Sequence, residues 1–482
     1  MQGKRQNNAK NLALKLYGEK KMYKLPNRNQ MGFFNFYLPF GGKLDKENRW
    51  VKMSEQIPWD SIEDEYALLF GDTGNPAKTC RMALGALLIQ QKLNISDRET
   101  VSQIAENPYL QYFIGLSEYT THSAFNATSM VNFRKRFTPE IIQKINEQIF
   151  INDEDNDDPP ENKGTLIVDA TCAPADIAYP TDHDLLNEAR EKTEEIIDML
   201  HKPNKGNVKK PRTYRLKARK AYLKIAKNRK NTKKLIKKGI RQQLGYLKRN
   251  LKTIEAYENK ALTKRQNKLL ETIQTLYSQQ KYMYENKTHS VPERIVNLYQ
   301  SHVRPIVRGK ASAAVEFGAK VAISIVNGYS FIDEINWNNF NEGSKLKKVI
   351  EKYYQRFGCY PCEIIADKLY RNSENLAFCK TNNIRLSGPK LGRPSKSYRE
   401  EQKQEVIDAR IRNQVEGKFG EGKRKYGLNL IMSKLQETSE TEISLKFLVM
   451  NLERRLRVLF TFFTEWLEMN IVFPFLDKNA SY

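Results

Sequence analysis

Between residues 201 and 250 the chain has no Asp and no Glu, yet it carries 20 Lys and Arg there. This window supplies +20 of a formal net charge of +25, which arises from 81 Lys and Arg against 56 Asp and Glu over 482 residues. Elsewhere the chain is only mildly basic. Long apolar runs are also missing. The greasiest stretch, Val458 to Leu476, is broken by Glu465, Glu468, Asn470 and Pro474, so no membrane span is expected. The first residues lack the apolar core of a secretory signal, and five cysteines, an odd number, do not make a disulfide framework. A reducing, cytoplasmic location is the expectation. Cys359 and Cys362 form a lone CxxC with no second pair to complete a zinc site. His183 reads as part of a solvated loop between Asp182 and Asp184, and the other histidines are scattered, so nucleophilic catalysis with a His base has no support.

What is present is enough to fold. Hydrophobic residues make up 40% of the chain and aromatics 10%, sufficient for two to four domains. The unbalanced positive charge calls for a polyanionic partner. In and beyond the basic window, Ile240, Leu244, Leu247, Leu251 and Ile254 repeat at 4-3 spacing, and Leu269, Leu270, Ile273, Leu276 and Tyr277 suggest a returning partner. Residues 183–299 therefore read as a basic helical hairpin, an arm that grips DNA. Its candidate phosphate contacts are Lys209, Lys210, Arg212, Arg215, Lys233, Lys234, Lys237 and Lys238.

Residues 1–160 read as a helical domain for DNA binding or assembly. Asn75-Pro76 suggests a helix start, Ser96-x-x-Glu99 a capping box and Thr138-Pro139 a further start. Arg134, Lys135 and Arg136 are candidate DNA contacts at the end of one of these helices. The Asp-, Asn- and Pro-rich stretch 151–163 reads as a linker. From Gly164 the texture becomes β-rich: Thr165–Thr171, then Val315–Val326 and Tyr329–Trp337 joined by Asn327-Gly328, a strong hairpin signal. Leu346, Val349, Ile350, Tyr353 and Phe357 follow at helical spacing, then the strand 363–367, a short helix from Ser373, a short strand near 384–386, and a long helix from about 397 to 425. The expected class is α/β, with a core over 161–182 and 300–430, the basic insertion inside it, and a helical segment over 431–482.

Two apolar strands each carry one acid, Asp169 after Leu166-Ile167-Val168 and Asp367 after Ile364-Ile365-Ala366. If these strands pair in parallel, the two carboxylates meet at one sheet edge, where repulsion is severe unless a hard divalent cation lies between them. The long helix offers a third acid: Arg412, Glu416 and Lys423 share a face, beside a buried face of Ile411, Val415 and Phe419. Arg412 and Lys423 flank Glu416 as phosphate clamps. Asp408 and Glu421 are its rivals.

Together these motifs resemble the DDE transposases of bacterial insertion sequences, in the group with a Tyr-x2-Arg-x3-Glu-x6-Lys signature. Arg412-x3-Glu416-x6-Lys423 has that spacing, with Ala409 where the family has Tyr, and Asp169-Ala-Thr171, Tyr179-Pro-Thr-Asp182 and Ala366-Asp-Lys-Leu-Tyr-Arg371 look like its first and second acid motifs. The stretch from Ile57-Pro-Trp-Asp60 through Phe137 looks like the family's helical N-terminal region. The resemblance implies an RNase H-like mixed-sheet core in which Asp169, Asp367 and Glu416 are catalytic and hold two Mg2+ or Mn2+ ions. It implies cleavage and strand transfer at terminal inverted repeats, with element ends and target DNA as partners and a homodimer or larger multimer on DNA. No small-molecule cofactor is implied. A catalytically inactive or domesticated DNA-binding derivative is the alternative expectation.

Overall fold

A computed structural model of the chain describes residues 22–23, 25, 36–71, 76–151, 162–257, 261–307, 315–389 and 398–467. Asn75 and most of the expected linker lie outside these residues. The described N-terminal part is helical: α1 (Arg49–Glu55), α2 (Trp59–Ala67), α3 (Cys80–Leu93), α4 (Asp97–Glu106), α5 (Pro108–Phe113), α6 (Ser129–Arg136) and α7 (Pro139–Phe150). The starts follow local chemistry. Ser96 accepts the Glu99 N–H at the head of α4, and Pro139 occupies the first turn of α7, where its missing N–H costs nothing. The Asn75-Pro76 expectation is corrected: α3 begins at Cys80, capped by the Thr79 hydroxyl, which accepts the Met82 N–H.

The sheet has six strands: β1 (Thr165–Pro174), β2 (Arg304–Val307), β3 (Val315–Val326), β4 (Tyr329–Asn336), β5 (Glu363–Ile365) and β6 (Arg385–Leu386). Its order is β2-β3-β1-β5-β6, with β4 also on β3. The pairs β1–β3, β2–β3 and β3–β4 are antiparallel, and β1–β5 and β5–β6 are parallel. Asn327 and Gly328 both take positive φ, 52° and 81°, as a tight two-residue hairpin with the twist of its strands requires.

Strand alternation sorts the core into two faces. Leu166, Val168, Ile364 and Ala366 pack against α12 (Leu346–Phe357) and α13 (Ser373–Thr381). Ile167, Ala173, Ile323 and Ile365 face the other way, into a core shared with the N-terminal helices, α14 (Tyr398–Lys425) and α15 (Gln436–Leu467). A buried polar junction ties these layers. Asn451 of α15 donates to Asn146 of α7 at 2.9 Å and to the Ser330 carbonyl at 2.8 Å, and accepts the Ser330 N–H at 2.9 Å.

Between β1 and β2 lies the insertion: α8 (Asp182–His201), α9 (Arg215–Ala226), α10 (Lys233–Glu255) and α11 (Lys264–Asn286). The expected α10–α11 hairpin forms, with Leu244, Leu247, Leu251, Ile254, Leu270, Ile273 and Leu276 buried, but it is not a free pair. α8 contributes Leu185, Leu186, Ala189, Ile196 and Ile197 to the same core. The reading of His183 as a solvated residue is corrected accordingly. It sits in the first turn of α8, 6% exposed and stacked on Tyr222 at 5.0 Å.

Asp333 of β4 gives a test of this packing. Burial pushes its carboxyl up to about 6, against the opposing pull of Arg356, Lys352 and the Ser324 hydroxyl. Because the folded-state value is raised, the stability associated with the protonated form is present below the unfolded value near 3.8 and is lost as pH rises towards 6. The thermal midpoint of Asp333→Asn minus that of wild type should therefore increase from pH 4 to pH 7. A difference that stays flat or falls over that range sinks this account.

Candidate active site

The two strand acids are brought level by register. Ile167 of β1 pairs with Ile365 of β5 in parallel, so Asp169 and Asp367 each lie two residues further along on the face of those isoleucines. Asp169 accepts the Ala170 N–H at 2.7 Å, and Asp367 caps the short turn after β5 by accepting the Lys368 N–H at 2.7 Å. α14 crosses this face and is pinned there by Val415 and Phe419, both buried in the core that holds Ile167 and Ile365, with Ile411 half-buried beside them. The helix thus carries Arg412 and Glu416 over the strand ends.

Arg412 stands between the acids. It donates to Asp367 at 3.0 Å and lies 3.9 Å from Glu416, one turn further on. Asp169 feels the same group. Burial pushes the Asp169 carboxyl up to about 6, Glu342 and Asp367 add to the rise, and the Ala170 N–H and Arg412 oppose it. The Asp367 and Glu416 side chains are 45% and 61% exposed, open to a ligand from solvent. The donor set fits a hard divalent cation in type, since it offers carboxylate oxygens and neither sulfur nor imidazole. As the side chains stand, no group of three or more His, Cys, Asp or Glu among the described residues is gathered to hold a metal ion. The Arg412 guanidinium bridges two of the acids instead.

The rival acids are committed elsewhere. Asp408 is buried and takes both Arg385 nitrogens at 2.9 Å, and Glu421 takes Arg457 at 3.1 Å. Glu342 was not anticipated. It meets Lys320 at 2.8 Å and accepts a longer bond from the Tyr370 hydroxyl at 3.4 Å, so it brings a fourth carboxylate near Asp169 with its own cation. It sits in a polar loop after β4, where neither periodicity nor apolar flanks marked it.

The expected DNA contacts divide. Lys423 is half-buried on α14. Arg134 departs from its expected role: it is 8% exposed and grips Asp97 with both terminal nitrogens, which turns the guanidinium into the domain. Arg136 lies 4.6 Å over the Phe70 ring and is half-buried, and of that trio only Lys135 is exposed. In the insertion, Lys210 and Arg215 both reach Asp198, at 2.6 and 2.7 Å, while Lys209, Arg212, Lys233, Lys234, Lys237 and Lys238 are exposed. Lys237 also lies over the Tyr284 ring.

A mixed sheet with two strand-end carboxylates and a charged helix laid across them makes this a mixed α/β protein. Residues 364–453, which include Asp367, Arg412 and Glu416, match the family profile described as "Transposase DDE domain". Residues 39–136 match "Transposase domain (DUF772)". A curated relative, "Uncharacterized protein ORF8 in nfe locus" of Rhizobium meliloti, is 28% identical over 140 residues, covering 29% of this chain and 68% of that protein. No solved structure matches. Both matched stretches are thus those of transposase domains, in line with the resemblance to the DDE transposases of bacterial insertion sequences. Among the described residues, no helix is long and apolar enough to cross a membrane.

Proposed function

We propose that this transposase binds the terminal inverted repeats of its own insertion sequence, cuts the strands there and joins the freed 3′ ends to target DNA. The observation that carries the reading is the parallel β1–β5 register, which sets Asp169 and Asp367 level under a helix bearing Glu416. The strand order, with β3 and β4 antiparallel on one side of β1 and β5 and β6 parallel on the other, supports an RNase H-like core. Asp169, Asp367 and Glu416 would hold two Mg2+ or Mn2+ ions. Bound there, the ions would supply Lewis-acid activation of the attacking oxygen and charge relief at the leaving oxygen.

The chain's own groups would do the remaining work. Arg412 and Lys423 would orient the scissile phosphate from α14, and the packed β1 face would fix the Asp169 carboxylate. No side-chain nucleophile is required, so no covalent protein–DNA intermediate forms. Exposed cations of the insertion would supply affinity through phosphates, and Lys135 would add to it from the N-terminal helices. The working unit would be a dimer or larger multimer on paired ends. The test is incubation of purified protein and Mg2+ with linear DNA carrying the repeats that bracket its gene. Nicks at the repeat boundaries are expected; binding without any nick, with either Mg2+ or Mn2+, overturns the reading.

Arg412 gives a second readout. If its guanidinium stands where positive charge is needed between Asp367 and Glu416, it competes with added cations. Arg412→Gln should then bind Mn2+ more tightly in the absence of DNA, by about tenfold, the effect of roughly 1.4 kcal/mol of relieved repulsion. Calorimetric titration checks this, and equal affinity in the two proteins rejects the competition.

A further inference from the structure

The insertion holds a pattern finer than its net charge. On α10, Lys234, Lys238, Arg241, Gly245, Lys248 and Lys252 follow one another at 4-3-4-3-4 spacing, which places them in a single row along the helix. With a rise of about 1.5 Å per residue, the row runs about 27 Å. It lies opposite the packed side. Gly239, Gln243, Leu244, Leu247, Asn250, Leu251 and Ile254 are the buried residues of α10. Gln243 donates to the Ala218 carbonyl of α9 and Asn250 to Thr193 of α8, so neighbouring helices cover that side. The five cations of the row are exposed, and none forms an ion pair with an acid among the described residues.

Gly245 stands at the middle of this row, half-exposed, and a Cβ there would meet nothing within 4 Å. Packing therefore does not demand glycine. A glycine inside a helix costs roughly 1 kcal/mol relative to alanine, so its place calls for another reason. A bare backbone at the centre of a cationic row lets a polyanion come closest where a side chain would hold it off. Arg249 is held just beside it, bonded to the Gly245 carbonyl at 3.2 Å and lying over Tyr214 and Tyr246 at 4.8 and 5.0 Å. No apolar side chain interrupts the row, which argues against insertion into a lipid surface.

The geometry points to the outer face of α10 as a track for the sugar–phosphate backbone of duplex DNA, with Gly245 at the closest approach. It rests on the transposase reading and adds the place and manner of the grip. Lysines and one arginine aimed at phosphates carry no base code, so the grip is sequence-independent and sets position along the duplex.

The test compares full-length proteins by fluorescence anisotropy on a long duplex of mixed sequence, across a salt titration and with Ca2+ in place of Mg2+. One variant changes Lys234, Lys238, Arg241, Lys248 and Lys252 to Gln. A control changes five exposed cations of α11 and its end, Lys264, Arg265, Lys268, Lys281 and Lys287, to Gln. The row variant should lose about 4 to 5 from the slope of log affinity against log salt, since each phosphate contact contributes about 0.9. The control should lose less than about 1 by the same measure. Gly245→Gln should weaken binding several-fold with the slope unchanged, because it adds bulk without charge. Helix content by circular dichroism confirms that each variant is folded. Equal slopes for row and control variants, or a Gly245→Gln protein that binds as wild type does, overturns the track. Tighter binding by wild type to duplex RNA or to anionic vesicles overturns the choice of partner. A wild-type protein that binds no DNA at all defeats the transposase reading itself, whereas indifference of a DNA-binding protein to the row defeats only this inference.

Discussion

Asp169→Asn should yield a protein that binds its repeat DNA as tightly as wild type yet cuts it at least about 10³-fold more slowly, a loss of roughly 4 kcal/mol or more in transition-state stabilisation. The substitution keeps shape and the bond from the Ala170 N–H while removing the charge. Asp367→Asn and Glu416→Gln should fail to the same degree, and combining any two should cost little more, as groups acting on one centre are strongly non-additive. Asp408→Asn serves as the contrast. That acid is buried against Arg385, so its loss should lower the melting temperature while the protein that remains folded still cuts. Gel assays of nicking, paired with anisotropy for binding, read both quantities. Cutting by Asp169→Asn at near wild-type rate would remove it from the site.

The second large effect is on the sheet itself. Gly318→Ala should destabilise the protein by about 3 kcal/mol or more. A Cβ at this buried position would lie 2.1 Å from the Ala173 carbonyl oxygen and 2.7 Å from Pro174 Cα, both backbone atoms of the neighbouring strand that cannot step aside as a side chain can. Gly318 faces Pro174 on one side and Arg304 on the other, so relief would have to part β3 from β1. That is the strand that carries Asp169. Melting should fall, and cutting should fall with it at temperatures where the fold persists. Gly71→Ala, at a glycine with open space around it, should leave both unchanged, and an unchanged melting temperature for Gly318→Ala would refute the steric account.

How far the sequence reveals this protein differs element by element. β1, β5 and the β3–β4 hairpin are legible because apolar runs bounded by turn residues have few other solutions, and Asn327-Gly328 leaves little choice of turn. Asp169 and Asp367 stand out because charges at the ends of such runs are costly without a partner, and Glu416 because its helix repeats an apolar face that fixes its direction. β2 is only four residues long and includes Pro305, too short for any periodicity. Arg134 was misjudged since its partner Asp97 lies 37 positions away, beyond the reach of local pattern. Glu342 depends on the return of a loop to the sheet edge. His183 read as solvated because the stretch after Pro180 is polar, while its ring is covered by Tyr222 and lies against Gly239, on helices that begin over 30 positions later.

The insertion leaves and rejoins the sheet through one narrow doorway. Gln300 donates to the Asp176 carbonyl at 3.1 Å although the two are 124 positions apart. Just inside, Asp182 receives Arg294 at 2.7 Å and Gln280 at 2.8 Å. Everything beyond that clasp has its own apolar interior. Evolution could therefore lengthen, shorten or exchange the arm at those two points while the strands on either side kept their partners, and the reach of the protein along its substrate could change independently of the chemistry at its centre.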